Sequence, residues 1–326
     1  MASSPRHAVG RIAGTTILDR VCGGVFALLL ACSSQALSQD IRVTLLGTGD
    51  PTPSLERFGP GTLVEAAGQT LLFDAGRGTM QRLRQVGVST GELDGIFLTH
   101  LHSDHVVGLV DVWLTGWVVD GRTTPLRVYG PVGTSALAEH LAKAFEYDIA
   151  IRTAEAGRSA QGVAIEVTEI SGGYRWHADG VEVLAFDVDH APVAPAFGFR
   201  VDSGERSVAL SGDTRYSESL IRRAKGVDLL VHEVADAPAA FKQAHPDLPR
   251  LVHHTQPADA GRVFTAVAPK LAVYSHLVLA GGMRAEDLVG ETRATYDGPL
   301  LVGEDLMTLT IADEVTVGTR RSSDQE

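Results

Sequence analysis

The chain has 326 residues, with 40 acidic against 28 basic side chains, a formal net charge of −12 and only two cysteines. That length can bury the core of one large α/β domain or two small ones. The acidic balance argues against a surface that wraps a nucleic-acid backbone, which needs clustered Lys and Arg.

Residues 1–36 differ from the rest. Arg6, Arg11 and Arg20 precede an apolar run over 21–31, and small residues follow. This is the layout of an export signal, and the run is too short for a comfortable membrane span. A cut after Ala36 would leave a domain of 37–326, free in the periplasm or another exported compartment. Leu29-Leu30-Ala31-Cys32-Ser33 competes with that cut: it resembles a bacterial lipobox and would put a lipid, the only expected membrane tie, on Cys32. The leader takes three Arg and one Asp with it, so the remaining domain carries −14. Both cysteines, Cys22 and Cys32, lie in the leader. Any metal site in the domain must therefore be built from His and carboxylates.

The domain opens with a strand over 41–46 that runs into Gly47-Thr48-Gly49-Asp50-Pro51. Strands over 62–66 and 70–73 follow and end at Asp74-Ala75-Gly76-Arg77-Gly78-Thr79, before a helix over 80–86. Asp74 suits either a helix N-cap or the partner of a metal-binding histidine. A short apolar strand over 95–99 then delivers His100-Leu101-His102-Ser103-Asp104-His105, and a helix is expected over 106–117. Three imidazoles and a carboxylate in six residues, on a strand-to-helix turn, are the donors zinc prefers; without a metal they would crowd unpaired polar groups. Alternate residues on such a turn share a side, so His100 with His102 can hold one ion and Asp104 with His105 a second. Trp113 and Trp117, four apart on the helix, fit the core better than a substrate mouth.

A strand over 126–129, a helix over 134–145 and a strand-like stretch over 148–180 come next. The second half repeats one pattern four times: an apolar strand with a His or Asp at its carboxyl end. Strand 181–188 ends in Asp189-His190, strand 208–210 in Ser211-Gly212-Asp213-Thr214, strand 229–231 in His232-Glu233, and strand 271–274 in Ser275-His276. Four such endings indicate one shared site at a sheet edge.

The order His-x-His-x-Asp-His, His190, Ser-Gly-Asp213-Thr and His276 resembles the metallo-β-lactamase superfamily, within it the ribonuclease Z branch. Leu46 to Pro51 and Phe73 to Thr79 are similar to that branch's opening motifs. His190 with Phe197-Gly198-Phe199-Arg200, then His232-Glu233, then His253-His254-Thr255 are similar to its later ones. The resemblance implies a four-layer αββα sandwich, commonly a homodimer, with two zinc ions; manganese or iron also suit such donors. It places His100, His102 and His190 on the first ion, Asp104, His105 and His276 on the second, and Asp213 on both. It further implies a hydroxide between the ions as nucleophile, oriented by Asp104, and His253, steadied by Glu233, as the acid for the leaving group. The adjacent His254 is the alternative acid.

The family's basic, Gly- and Pro-rich RNA-clamping arm has no counterpart, since 148–180 holds only Arg152, Arg158 and Arg175 as fixed positive charges. The expected activity is therefore hydrolysis of a small phosphodiester, not of a nucleic acid. Sulfate esters, lactones and β-lactams are alternative substrates, and a metal-binding lipoprotein without turnover is the alternative outside enzymes.

Overall fold

The computed structural model describes residues 40–319. The export signal, Cys22 and Cys32 lie outside the described residues.

The strands, in chain order, are β1 (Ile41–Gly47), β2 (Gly61–Ala66), β3 (Gln69–Phe73), β4 (Gly95–Phe97), β5 (Leu126–Gly130), β6 (Ile165–Glu169), β7 (Arg175–Ala178) and β8 (Val181–Asp187). They continue with β9 (Phe197–Ser203), β10 (Arg206–Leu210), β11 (Leu229–Asp236), β12 (Leu271–Leu279), β13 (Leu300–Val302), β14 (Met307–Ile311) and β15 (Val315–Thr319). One sheet runs β15-β14-β1-β2-β3-β4-β5-β6, and the second runs β13-β12-β11-β10-β9-β8-β7. The terminal hairpin β14–β15 closes the first sheet beside β1. Sequence patterning did not anticipate it.

Alternating apolar residues turn the inner faces of the two sheets onto one core, where Val43, Leu45, Phe73 and Phe97 meet Phe199, Val201, Val231 and Val273. Phe97 stacks on Phe73 at 5.2 Å and meets Phe199 edge-on at 5.8 Å, which pins the sheets together at the level of the β4 exit. Burying such a ring contributes on the order of 3 kcal/mol. Helices Thr79–Gln85, Leu109–Val118 and Thr134–Ala144 cover the outer face of the first sheet. Helices Glu218–Arg223, Pro257–Val267 and Asp287–Thr292 cover that of the second. The result is the expected αββα sandwich.

Three local expectations differ from the structure. The helix expected over 106–117 is two helices, Ser103–Val106 and Leu109–Val118. Gly108 lies between them because its N–H donates to Ala75 O at 2.8 Å, and a Cβ there would sit 2.0 Å from Gly76 O. Only glycine allows that backbone approach. The stretch read as strand-like over 148–180 begins as a helix, Glu146–Ala156. Ile149, Ile151 and Thr153 mimic a two-residue period, whereas the Asp148–Arg152 pair at 2.9 Å shows the four-residue spacing that wins. Finally, β11 and β12 do not stop before their polar residues but run through them.

That continuation shapes the site. The parallel β11–β12 ladder pairs His232 with Tyr274 and next Val234 with Leu277, so Glu233 faces two residues, Ser275 and His276. The extra residue makes a bulge, with His276 in the left-handed region at φ 44°. A bulge re-aims a side chain in mid-strand, and a non-glycine residue held there stores local strain. Trp113 and Trp117 are buried, and their indole N–H groups donate to Val163 O and Ser159 O at 2.7 and 2.9 Å. They belong to the core.

Candidate metal centre

The centre forms where β4, β10 and β12 present polar residues at one edge of the sandwich. Thr99, two residues beyond β4, donates its backbone N–H to Asp74 Oδ1 at 2.8 Å and its hydroxyl to the same carboxylate at 2.9 Å. Asp74 also accepts from His105 Nδ1 at 2.8 Å. Of the two roles open to Asp74, partner of a site histidine is the one observed; the following helix begins after Gly78.

These outer contacts determine which imidazole nitrogens face inward. His105 donates Nδ1–H to Asp74, which turns its Nε2 toward Asp213. His190 donates Nδ1–H to the His253 carbonyl at 3.1 Å, leaving an Nε2 lone pair. His100 Nδ1 lies 3.0 Å from the Thr99 hydroxyl, whose proton goes to Asp74, so His100 Nδ1 is the donor there. The freed His100 Nε2 then sits 2.9 Å from His102 Nδ1, and His190 Nε2 sits 3.3 Å from the same atom. Two lone pairs converge on one imidazole nitrogen, which can satisfy at most one of them with a proton.

Asp213, buried in the loop after β10, lies at the middle. Its Oδ2 is 3.3 Å from His105 Nε2, 3.5 Å from His276 Nε2 and 3.8 Å from the Nε2 atoms of both His100 and His190. Asp104 Oδ2 is 3.3 Å from His276 Nε2 and 3.6 Å from His105 Nε2. One ligand atom from each of His100, His102, His190 and Asp213 falls within 4.8 Å of the others, as do those of Asp104, His105 and His276. The structure thus brings together all seven residues expected as ligands, in the two groups expected, with Asp213 between them. Buried His105 Nε2 has no hydrogen-bond partner despite its position among these groups. Inward lone pairs, an orphaned buried nitrogen and carboxylates beside them form a donor set that fits divalent metal.

The electrostatics divide the histidines. Burial pushes the His100 and His190 imidazoles toward their neutral forms, whereas the Asp213 carboxylate overrides burial and raises the pKa of His105 and His276. Asp213 and Asp104 are both held well below the usual carboxylate range: burial opposes their ionisation, but the surrounding imidazoles outweigh it, led by His276.

Glu233 requires a correction. It was expected to steady His253, but its Oε2 engages His254 Nδ1 at 3.2 Å, while its Oε1 accepts the Thr255 N–H at 2.8 Å. His253 instead gives its backbone carbonyl to His190. Burial lowers the His254 pKa, yet the Glu233 carboxylate overrides it and pushes the value up to about 9. The His254 ring also stacks on His276 at 5.6 Å. Two adjacent histidines project differently from one turn, and only the tertiary position of β11 decides which one meets Glu233.

The centre opens onto a cleft of about 370 Å³ walled by Pro51, Thr52, Pro192, Val193, Pro249 and Val278, with His253 and His254 at its side. Among the described residues lining it, Arg250 is the only Lys or Arg. Sequence reasoning missed Thr99, which orders both Asp74 and His100, and Arg215, which bonds Asp189, Ala191 and Val252. An ordinary strand-end Thr and a turn Arg carry no motif signal of their own.

A two-sheet αββα sandwich with a His/Asp centre at its edge defines a metallo-β-lactamase-fold, metal-dependent hydrolase. The fold matches YhfI from Bacillus subtilis with a TM-score of 0.67 at 18% identity, over 83% of this chain and 100% of that one. It matches the short form of human tRNase Z with a TM-score of 0.62 at 23% identity, over 83% and 98%. In sequence, residues 41–260 match the family model described as Anti-Pycsar protein Apyc1. The chain is 38% identical to the ribonuclease Z of Mycobacterium bovis over 270 residues, 82% of this chain and 96% of that protein. It is also 38% identical to the ribonuclease Z of Mycolicibacterium gilvum over 272 residues, 82% and 94%. The chain belongs to the ribonuclease Z family, and through residues 41–260 to the family of the Apyc1 model.

Proposed function

We propose that this chain is a dinuclear zinc phosphodiesterase that cleaves small phosphodiesters, with His254 as the acid for the leaving group. The observation that carries the reading is the position of Asp213, one buried carboxylate oxygen within 3.3–3.8 Å of four imidazole Nε2 atoms. In this reading His100, His102 and His190 hold one ion, Asp104, His105 and His276 the other, and Asp213 both. Zinc at these positions supplies Lewis acidity toward phosphoryl oxygens and lowers the pKa of water for attack; the all-N/O donor set also suits manganese or iron.

The chain's own groups do the remaining work. Asp104, kept ionised, accepts a hydrogen bond from the attacking water and orients it. As the P–O bond breaks, His254 gives a proton to the departing oxygen. Glu233 on Nδ1 fixes the ring, keeps it protonated beforehand and leaves Nε2–H as the transferable proton. This assigns to His254 the role first expected of His253. Such an acid contributes roughly 10²–10⁴-fold.

Substrate size follows from the cleft. Its volume lies in the ordinary small-molecule range, and a polynucleotide would need a track of cations where this cleft offers Arg250 alone. The relatives are named ribonuclease Z, so RNA is the competing substrate. Export through the 1–36 leader, free or tethered at Cys32, is part of the same reading and keeps the enzyme from cytoplasmic RNA.

Parallel rates on a dinucleoside monophosphate and on a structured precursor RNA test the proposal. A higher kcat/KM on the dinucleotide is expected. Preferential 3′ processing of the RNA would overturn the small-substrate reading while leaving the metal centre intact.

A further inference from the structure

Arg215 stands two residues after Asp213 and joins two segments that approach the centre from different parts of the chain. Its backbone N–H donates to Asp189 O at 2.7 Å. Its guanidinium pairs with Asp189 Oδ1 at 3.2 Å through Nη1, donates to Ala191 O at 2.9 Å through Nη2, and donates to Val252 O at 2.8 Å through Nε. One side chain therefore fastens the turn on both sides of His190 to the residue immediately before His253-His254.

We propose that Arg215 is a positioning residue that holds the His254 acid in register with the metal centre, by locking segment 252–254 to the His190 turn. This rests on the reading of His254 as the acid. Besides the bond from His190 Nδ1 to His253 O, the segment is anchored by side chains on both sides. On its far side, Thr255 donates N–H to Glu233 and its hydroxyl to Thr214 O at 2.6 Å. On its near side the side-chain anchor is Arg215. His254 lies between the two, so removing Arg215 leaves the single His190–His253 bond on the near side and loosens the His254 backbone torsions, while the Thr255 anchor keeps the segment attached.

The geometry, not the charge, carries the effect. The Asp189 carboxylate is 56% exposed and the Arg215 side chain 33%, so solvent screening leaves the ion pair little energy of its own. The guanidinium instead supplies three directed donors in a rigid fork that reach three acceptors on two segments. A lysine ammonium has no such fork and cannot serve Ala191 O and Val252 O in the same geometry. The ring bonds that orient the centre's histidines are left in place, because His190 Nδ1 donates to His253 O and His105 Nδ1 to Asp74 without Arg215.

The test compares Arg215→Met, Arg215→Lys, His254→Ala and the Arg215→Met/His254→Ala double variant in the full chain. Zinc content is measured for each, along with kcat and KM on a nitrophenyl and on a phenyl phosphodiester. The phenyl ester, with the poorer leaving group, needs the acid more. Arg215→Met is expected to keep its zinc and its KM and to lose on the order of 10–100-fold in kcat on the phenyl ester, with little loss on the nitrophenyl ester. Arg215→Lys is expected to fall between wild type and Arg215→Met with the same leaving-group signature, which keeps the test decisive should the Met variant fold poorly. The double variant is expected to be no slower than His254→Ala, as for two residues acting as one unit. Equal slowing of both esters by the Arg215 variants, loss of zinc, or additive losses in the double variant would overturn the proposal. If His254→Ala itself slows both esters equally, it is the acid assignment that has failed, and Arg215 has no acid to position.

Discussion

Asp213→Ala is expected to have the largest effect of any single change: bound zinc falls below two per chain, and kcat/KM falls on the order of 10³-fold or more. Losing an outer partner of a metal ligand typically costs about 10–100-fold, and Asp213 stands closer than that, its Oδ2 facing four imidazoles at once. Without this carboxylate the two ligand groups share no member, and two neighbouring cations would lose the anion between them that offsets their mutual repulsion. Metal analysis by mass spectrometry, beside turnover and circular dichroism, separates a lost ligand from a lost fold. A folded Asp213→Ala protein with two zinc ions and near-normal turnover would contradict the assignment.

His254→Ala is expected to have the second-largest effect, and its size depends on the leaving group. With a poor leaving group kcat falls roughly 10²–10⁴-fold, the range of a positioned general acid; with nitrophenolate, which departs without a proton, the loss is small. His253→Ala is expected to leave that leaving-group dependence nearly unchanged, because His253 hydrogen-bonds the centre through its backbone carbonyl, which alanine keeps. Glu233 is what distinguishes these neighbours, engaging His254 Nδ1 at 3.2 Å and raising its pKa against the lowering effect of burial. A larger or more leaving-group-sensitive loss in His253→Ala would return the acid role to His253. Steady-state rates on a series of aryl phosphodiesters with graded leaving groups make the comparison.

Much of the centre is legible in the chain itself because its candidate ligands come packaged. His100, His102, Asp104 and His105 occupy one turn, and His190 and Asp213 each follow a strand whose apolar pattern is plain. Their convergence follows from the α/β rule that strand ends on one edge build one site. His276 differs from the expected strand-end placement: it lies within β12, not beyond it, and a bulge turns it inward. The pairing of Glu233 with His254 was not legible. It depends on how β11 and β12 slip against each other, a tertiary register that no local spacing records. The same limit hid the β14–β15 hairpin, whose short strands gain their place from β1 across the whole chain, and the Gly108 break, which exists because a backbone carbonyl at Gly76 comes within reach. The helix Glu146–Ala156 was obscured differently, by β-branched residues that alternate by chance on a helix otherwise supported by the Asp148–Arg152 pair.

Two metals at one hydrolytic centre are the premise of every activity expected above. The decisive measurement is zinc stoichiometry of the purified protein alongside its turnover of bis-p-nitrophenyl phosphate, p-nitrophenyl sulfate, a lactone and a cephalosporin reporter, before and after chelation. Two zinc ions per chain, with phosphodiester cleavage dominant, lost on chelation and restored by zinc, is the predicted result. A protein that takes up no zinc, or one that holds two ions yet turns over only the sulfate, lactone or β-lactam, would contradict it.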